Sequence, residues 1–257
     1  MPENTTPYWF TRMGGKQYLK KRIIPLIPRL GVKTYVEPFV GSGKVLLGME
    51  KFPKEVVNDL DKDVYVMWKG IRSVPLETFK KMDFTPSRDK FKRLKESKPS
   101  SLTQKLHRAL YLNHLSFEGN MDSFGDSPTT FSTAANWFKR MQKDLPAIQE
   151  RLKPMTILNT DWKQVVRKYD SPSTFFYVDP PYYEVEGYGL PDVPPEELYD
   201  VLSKTKGQWI MSYNDVPIIR KLFHDYTIKR VATRYSFGVK QQEKTPEVLI
   251  MKLHAQK

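Results

Sequence analysis

Phe175-Phe176-Tyr177-Val178 runs straight into Asp179-Pro180-Pro181-Tyr182. A short apolar run rich in aromatic and β-branched residues reads as a buried strand. Neither proline can donate to a sheet ladder, so the strand must stop at Asp179. The carboxylate is then left at the carboxyl end of a central strand, where open α/β sheets bind their ligands. The prolines stiffen the next turn and expose the Pro180 carbonyl, and Tyr182 adds a flat, partly polar face. Two acceptors and a stacking surface at one point suit an amino group on a planar base. A strand ending in a Pro-Pro turn with a solvated acid has the same local pattern, so the rest of the chain must decide.

A second stretch, Thr34-Tyr35-Val36-Glu37-Pro38-Phe39-Val40-Gly41-Ser42-Gly43-Lys44-Val45-Leu46-Leu47, reads as strand, tight glycine turn, then helix. It is not a Walker A loop, because Pro38 stands where the first glycine is needed and Val45 follows the lysine. It is not a dinucleotide fingerprint either, because Leu46 takes the place of the third glycine. What remains is a Gly-x-Gly turn at a strand end with Glu37 before it, which suits a nucleoside ligand with a positive or polar group and no pyrophosphate. Glu55-Val56-Val57-Asn58-Asp59-Leu60-Asp61 is another short strand ending in acids. Asp59 is placed for ribose hydroxyls, whereas Asp61 suits the cap of a helix over Lys62 to Ile71. Upstream, Gly14-Gly15 lets the backbone approach a ligand, and Lys16 could meet a carboxylate. A short helix carrying Leu19, Ile23 and Ile24 follows and ends before Pro25.

These residues need a scaffold, and strand–helix alternation supplies one on both sides of an interruption. From about Ser73 to Met155 no alternation appears. Lysines and arginines crowd 80–98, helical spacing appears at Leu102-Leu106-Leu110, and Asn113 to Thr133 is irregular. A further helix runs from Ala135 to Leu152 with Trp137, Met141, Leu145 and Ile148 on one face. This is an inserted helical subdomain, over 73–154, between catalytic segments 1–72 and 155–257. Its basic face could lie on phosphates, although a solvated helix face would look the same. Alternation resumes at Thr156-Ile157-Leu158-Asn159 with Asp161 beyond, then at the Asp179 strand. The loop from Tyr183 to Pro195 is long enough to be a lid. A helix near Pro195 to Lys204 and a strand over Gln208 to Ser212 follow. Tyr226 to Tyr235 and Glu247 to Leu253 alternate like strands, expected antiparallel at one sheet edge.

Composition narrows the chemistry. The formal charge of +13 suggests a polyanionic partner. There is no cysteine, so disulfides, cysteine zinc sites and cysteine nucleophiles are excluded. The four histidines are not paired at ligand spacing, so no metal centre is expected. No apolar run approaches the roughly 18 residues of a membrane span. The first ten residues lack a signal-peptide pattern, so a cytoplasmic location is expected.

Together, Gly14-Gly15-Lys16, Glu37-Pro38-Phe39-Val40-Gly41-Ser42-Gly43, Asn58-Asp59, Tyr111-Leu112-Asn113 and Asp179-Pro180-Pro181-Tyr182 resemble the Dam-type N6-adenine DNA methyltransferases. Their order (glycine motif, inserted recognition domain, Asp-Pro-Pro-Tyr) is also that family's order. The resemblance implies a Rossmann-like S-adenosylmethionine-dependent α/β sheet with a mostly helical DNA-recognition insert. It implies S-adenosylmethionine at Arg12, Gly15, Lys16, Glu37, Phe39, Gly41, Gly43, Asp59, Asp161 and Asp179. It implies the target adenine of double-stranded DNA at Asp179, the Pro180 carbonyl and Tyr182. By position, Asn113, His114, Asn120, Ser123 and Tyr235 are candidate DNA contacts, and Lys139 and Arg140, with Arg12, suit phosphates. Two departures stand out. Arg12 occupies a position where the family often has Trp, and Tyr111-Leu112-Asn113 continues as His114-Leu115-Ser116-Phe117-Glu118-Gly119-Asn120 rather than into an Arg and a basic hairpin. No recognition sequence is therefore assigned.

The implied chemistry is direct methyl transfer to an exocyclic amino nitrogen, with the base flipped out of the duplex. C5-cytosine methylation needs a cysteine and is excluded. N4-cytosine methylation more often carries Ser where Asp179 stands, so adenine is the expected base. Methylation of RNA or of a protein glutamine, and a catalytically inactive DNA-binding module, are the alternatives.

Overall fold

The computed structural model describes residues 9–12, 16, 19–182, 192–231 and 246–254, except the Glu118 side chain. Its strands are β1 (Thr34–Glu37), β2 (Lys54–Asn58), β3 (Thr156–Leu158), β4 (Thr174–Val178), β5 (Gln208–Asn214), β6 (Thr227–Val231) and β7 (Glu247–Lys252). They form one seven-stranded sheet in the order β3-β2-β1-β4-β5-β7-β6. β7 runs antiparallel to β5 and β6, and the other pairs are parallel. The chain builds outward from β1 in one direction and from β4 in the other. The carboxyl ends of β1 and β4 therefore flank the point where strand order reverses, the place where such sheets form a crevice.

β4 and β5 are buried along their whole length, as expected for parallel strands covered on both faces. Successive side chains alternate between two cores. Tyr35, Val57, Phe175, Tyr177 and Ile210 enter one, and Val36, Val56, Phe176, Val178, Trp209 and Met211 enter the other. A one-residue slip in β4 would exchange Phe175 and Tyr177 for Phe176 and Val178, so the register is fixed by both faces at once.

The helices are α1 (Lys20–Ile23), α2 (Lys62–Ser73), α3 (Leu76–Lys80), α4 (Arg88–Glu96), α5 (Leu102–His114), α6 (Pro128–Leu152), α7 (Trp162–Tyr169), α8 (Pro195–Ser203) and α9 (Pro217–Leu222). Asp61 caps α2 as expected, its carboxylate accepting from the amides of Asp63 at 2.8 Å and Val64 at 3.4 Å. α7, α8 and α9 cover the second core with Trp162, Val165, Leu198, Leu202 and Ile219. No helix among the described residues is long and apolar enough to cross a membrane.

Between α2 and β3 the chain forms helices joined by loops, with an isolated bridge between Ser116 and Phe124 as the one β pairing among its described residues. α5 packs on α2 so closely that a Cβ on Gly70 would lie 2.8 Å from the Leu106 side chain. Arg151 of α6 forms an ion pair with Glu55 of β2, the carboxylate buried and the guanidinium half-buried. Leu106, Leu110, Trp137, Met141, Leu145 and Ile148 belong to the same hydrophobic cluster as Tyr35 and Phe175 of the sheet. The insert thus shares the core of the sheet's first face.

Several elements differ from expectation. The helix expected after the glycine turn is one 3-10 turn, Leu46–Gly48, because β2 already begins at Lys54. α6 starts at Pro128 rather than Ala135, since Ser127 accepts from the Thr130 amide at 3.1 Å and Pro128 suits the first helical position. α3, α4, α7 and α9 were not individually anticipated. Of the stretch read as a strand over 226–235, β6 accounts for Thr227–Val231, and the part from 232 onward lies outside the described residues.

Candidate active site

Glu37 ends β1, Asn58 ends β2, Asp179 follows β4 and Ser212 lies near the end of β5, so parallel strands bring all four to one edge. Asn58 ties the rim together. Its Nδ2 donates to the Pro38 carbonyl at 2.9 Å and the Thr160 carbonyl at 3.0 Å, and its Oδ1 accepts from the Thr160 amide. The glycine turn is held from behind. Gly43 has φ +64°, and a Cβ there would lie 2.4 Å from the Trp68 ring, so no other residue fits without moving that ring. Trp68 Nε1 in turn donates to the Gly41 carbonyl at 2.8 Å. The Asp59 carboxylate accepts from the Gly41 amide at 2.9 Å and the Asp61 amide at 3.0 Å. Burial raises the pKa of Asp59, with those two amides pulling the other way.

Glu37 is buried. Its Oε1 accepts from the Tyr35 hydroxyl at 2.7 Å and the Leu46 amide at 3.0 Å. Burial pushes its pKa up to about 8, with Asp179 adding to the rise and the two hydrogen bonds opposing it. Lys16 is also buried, and its Nζ lies 2.8 Å from Asp179 Oδ1. Burial pulls its pKa down, yet Asp179 and Glu247 outweigh it and leave the ammonium above the ordinary lysine value. Ser212 Oγ donates to the same Asp179 oxygen at 2.7 Å and lies 3.0 Å from the Tyr177 hydroxyl. Both bonds recorded for Asp179 among the described residues therefore fall on Oδ1.

A cleft with about 950 Å³ of open space, mouth included, lies over these groups. Of the residues expected at a cofactor, Arg12, Lys16, Glu37, Phe39, Gly41, Gly43, Asp59 and Asp179 line it, with Pro180 beside them. Lys44, Asn58, Leu60, Trp162, Tyr177 and Val193 also line it and were not anticipated. Asp161 does not line it; its carboxylate caps α7 by accepting from the Lys163 amide at 2.8 Å. Gly15 and Tyr235 lie outside the described residues. Arg12 is held by Asp61 at 2.6 Å. Among the described residues no cluster of three or more His, Asp or Glu could hold a metal ion.

Tyr182 departs from the open stacking face read from sequence. It is 6% exposed, packed 5.1 Å from the Tyr213 ring, with the Lys16 ammonium 4.9 Å from its centroid. Asn113 and His114 need a larger correction, because both are buried and turned inward. Asn113 accepts from the Thr11 amide at 2.9 Å and donates to the carbonyls of Thr11 at 2.8 Å and Gly119 at 3.1 Å. His114 Nε2 lies 2.8 Å from the Trp9 carbonyl, and its ring stacks on Trp137 at 3.6 Å. Neither offers an edge to a base; they hold the N-terminal segment that carries Arg12 and Lys16. Asn120 and Ser123 are exposed in a turn where Asn120 Oδ1 accepts from the amides of Asp122 and Ser123. Lys139 and Arg140 are exposed on α6. Asp122 and Asp126 of the irregular loop meet Lys95 at 2.5 Å and Arg88 at 2.6 Å on α4, in exposed ion pairs.

Similarity to known proteins agrees with this arrangement. A Type II methyltransferase, M.MjaIII, of Methanocaldococcus jannaschii is 24% identical over 93% of this chain and 96% of its own length. Another, M.CviBI, of Paramecium bursaria Chlorella virus NC1A is 24% identical over 87% of this chain and 89% of its own. The family model for the D12 class N6 adenine-specific DNA methyltransferases matches residues 13–237, from ahead of Lys16 to beyond β6. With that match spanning most of the chain and both signature strand ends inside it, the protein belongs to the D12 class of N6 adenine-specific DNA methyltransferases.

Proposed function

We propose that the protein methylates the N6 amino group of adenine in duplex DNA, with S-adenosylmethionine as donor, at the Asp179 edge of the sheet. The observation that carries this reading is the bonding of Asp179. Lys16 and Ser212 both occupy Oδ1, which fixes the carboxylate and, among the described residues, leaves Oδ2 to accept from an amino group. The donor set also fits the cofactor. The cleft sets three carboxylates, Glu37, Asp59 and Asp179, against three cations, with apolar walls from Phe39, Leu60, Trp162 and Val193. That combination matches a nucleoside with ribose hydroxyls, a planar base and cationic groups, and it lacks a phosphate cradle.

When bound, S-adenosylmethionine supplies a methyl group on a positively charged sulfur. Asp59 would take ribose hydroxyls, and Glu37 would face the amino-acid end with Gly41. An exocyclic amino nitrogen is a poor nucleophile because its lone pair is delocalised into the ring. Asp179 and the Pro180 carbonyl would accept its two N–H groups and favour a pyramidal nitrogen whose lone pair is free to attack. Their fixed positions supply the alignment on which the rate depends. Tyr182 would serve as a stacking face only once its ring is uncovered; such stacking contributes about 1–3 kcal/mol per base in single-strand binders. The formal charge of +13 and the exposed Lys139 and Arg140 suit the phosphate backbone. The naming of both relatives as Type II methyltransferases supports the methyl-transfer reading.

The test is incubation with labelled S-adenosylmethionine and unmethylated duplex of mixed sequence, followed by digestion to nucleosides, beside Asp179→Ala. Label in N6-methyladenine that disappears in the variant is the expected result. Label in N4-methylcytosine would overturn the base assignment. Cofactor binding without labelled DNA would overturn the DNA reading.

A further inference from the structure

Asp215, the residue after β5, organises two arginines at the sheet edge that carries the active site. Its side chain is 3% exposed. Arg220 of α9 donates from Nε to Oδ1 at 2.5 Å and from Nη2 to Oδ2 at 2.9 Å. Arg230 of β6 donates from Nε to Oδ2 at 2.8 Å. One carboxylate neutralises one guanidinium, so the trio keeps a net positive charge. The Arg230 side chain is 71% exposed and that of Arg220 45%. Arg220 alone already reaches both oxygens of the buried Asp215 carboxylate, so the second arginine is not needed to neutralise it. What it does add is a pair of guanidiniums held at fixed positions with donors left over, the arrangement suited to a phosphate.

Sheet register places the pair. Arg230 pairs with Val248, and Val248 pairs with Tyr213, so Arg230 stands level with Tyr213. Tyr213 packs against Tyr182, and its neighbour Ser212 donates to Asp179. Asp215 lies three residues beyond Ser212, roughly 10 Å along the strand direction. Asp215 follows β5 as Asp179 follows β4, so both stand at the same carboxyl edge of the sheet.

We propose that Arg220 and Arg230, positioned by Asp215, form a binding site for a DNA backbone phosphate flanking the flipped adenine. The proposal rests on the DNA-methylation reading above. Its test compares the whole protein with Arg230→Gln, Arg220→Gln and a charge-matched control, Lys168→Gln. Lys168 is exposed at the end of α7, which leads to the start of β4 and hence to the opposite sheet edge. Binding to mixed-sequence duplex is measured over a salt series, alongside S-adenosylmethionine affinity and DNA methylation. Arg230→Gln should weaken DNA binding severalfold and flatten the dependence of log K on log salt by about one. Lys168→Gln should leave both unchanged, and cofactor affinity should stay constant throughout. If Arg220→Gln disturbs folding, the exposed Arg230 still decides. An Arg230→Gln protein that behaves like Lys168→Gln, while the wild type methylates DNA, overturns the phosphate site alone. A wild type that binds cofactor and leaves DNA unmethylated overturns the functional reading first.

Discussion

Glu37 is an acid that the fold keeps largely protonated at neutral pH. Burial lifts its pKa to about 8, and bonds from the Tyr35 hydroxyl and Leu46 amide recover only part of the lost solvation. A cationic ligand beside it would favour the ionised form and draw its proton off. Linkage then fixes the direction: below pH about 8 binding releases a proton, so cofactor affinity rises with pH and levels off once Glu37 is already ionised. Calorimetry at pH 7 in buffers of different ionisation enthalpy should show proton release on S-adenosylmethionine binding. Glu37→Gln should abolish that release, and an unchanged buffer dependence in the variant would refute the assignment. Glu37, Asp59, Asp179 and Lys16 were legible in the sequence because each sits beside a local signal, a glycine pair or turn, a strand end or a proline. Ser212 and Trp68 were not, because their roles exist only across the sheet: 33 residues separate Ser212 from Asp179, and 27 separate Trp68 from Gly41.

At the scale of elements, α5 and the N-terminal segment form one unit. Asn113 holds Thr11 by two bonds, His114 meets the Trp9 carbonyl, and Trp9 and Phe10 are buried beside them. A contact spanning 102 residues leaves no trace in periodicity, which is why these two polar residues read as surface DNA contacts. The helices α2, α5, α6 and α8 were legible from caps and apolar spacing, whereas α3, α4, α7 and α9 are short and their boundaries weak. Burial lowers the His114 pKa to about 4, against an ordinary value of 6.5. The folded state therefore favours neutral His114, and its contribution is present above pH 6.5 and lost as pH falls from 6.5 towards 4. A shift of this size corresponds to at most about 3 kcal/mol. Thermal unfolding of wild type and His114→Gln from pH 4 to 8 should show a steeper acid loss in the wild type. Parallel curves would mean that His114 is not the group responsible.

Over the whole molecule, the insert and the first face of the sheet share one hydrophobic core. The insert's hydrophobic residues join that core, Gly70 lets α5 close onto α2, and the Arg151–Glu55 pair fastens α6 to β2. The sequence showed an interruption of strand–helix alternation and invited a subdomain reading, because a composition change cannot reveal whose core the apolar face of α6 completes. Shared burial predicts shared unfolding. Leu106 is fully buried where α2 and α5 meet, and truncating a buried leucine to alanine typically costs about 2–5 kcal/mol. If the insert had a core of its own, Leu106→Ala would split the melting curve and leave the sheet's transition in place. With one core, the variant should unfold in a single transition at lower temperature, with the calorimetric and van't Hoff enthalpies remaining equal. Near-ultraviolet dichroism, dominated by Trp9, Trp68 and Trp137 on the insert side and Trp162 and Trp209 on the other face, should follow the same curve. A separate early loss of the first signal would show that the insert melts alone, and the coupling between α5 and the segment carrying Arg12 and Lys16 would then be local to that contact.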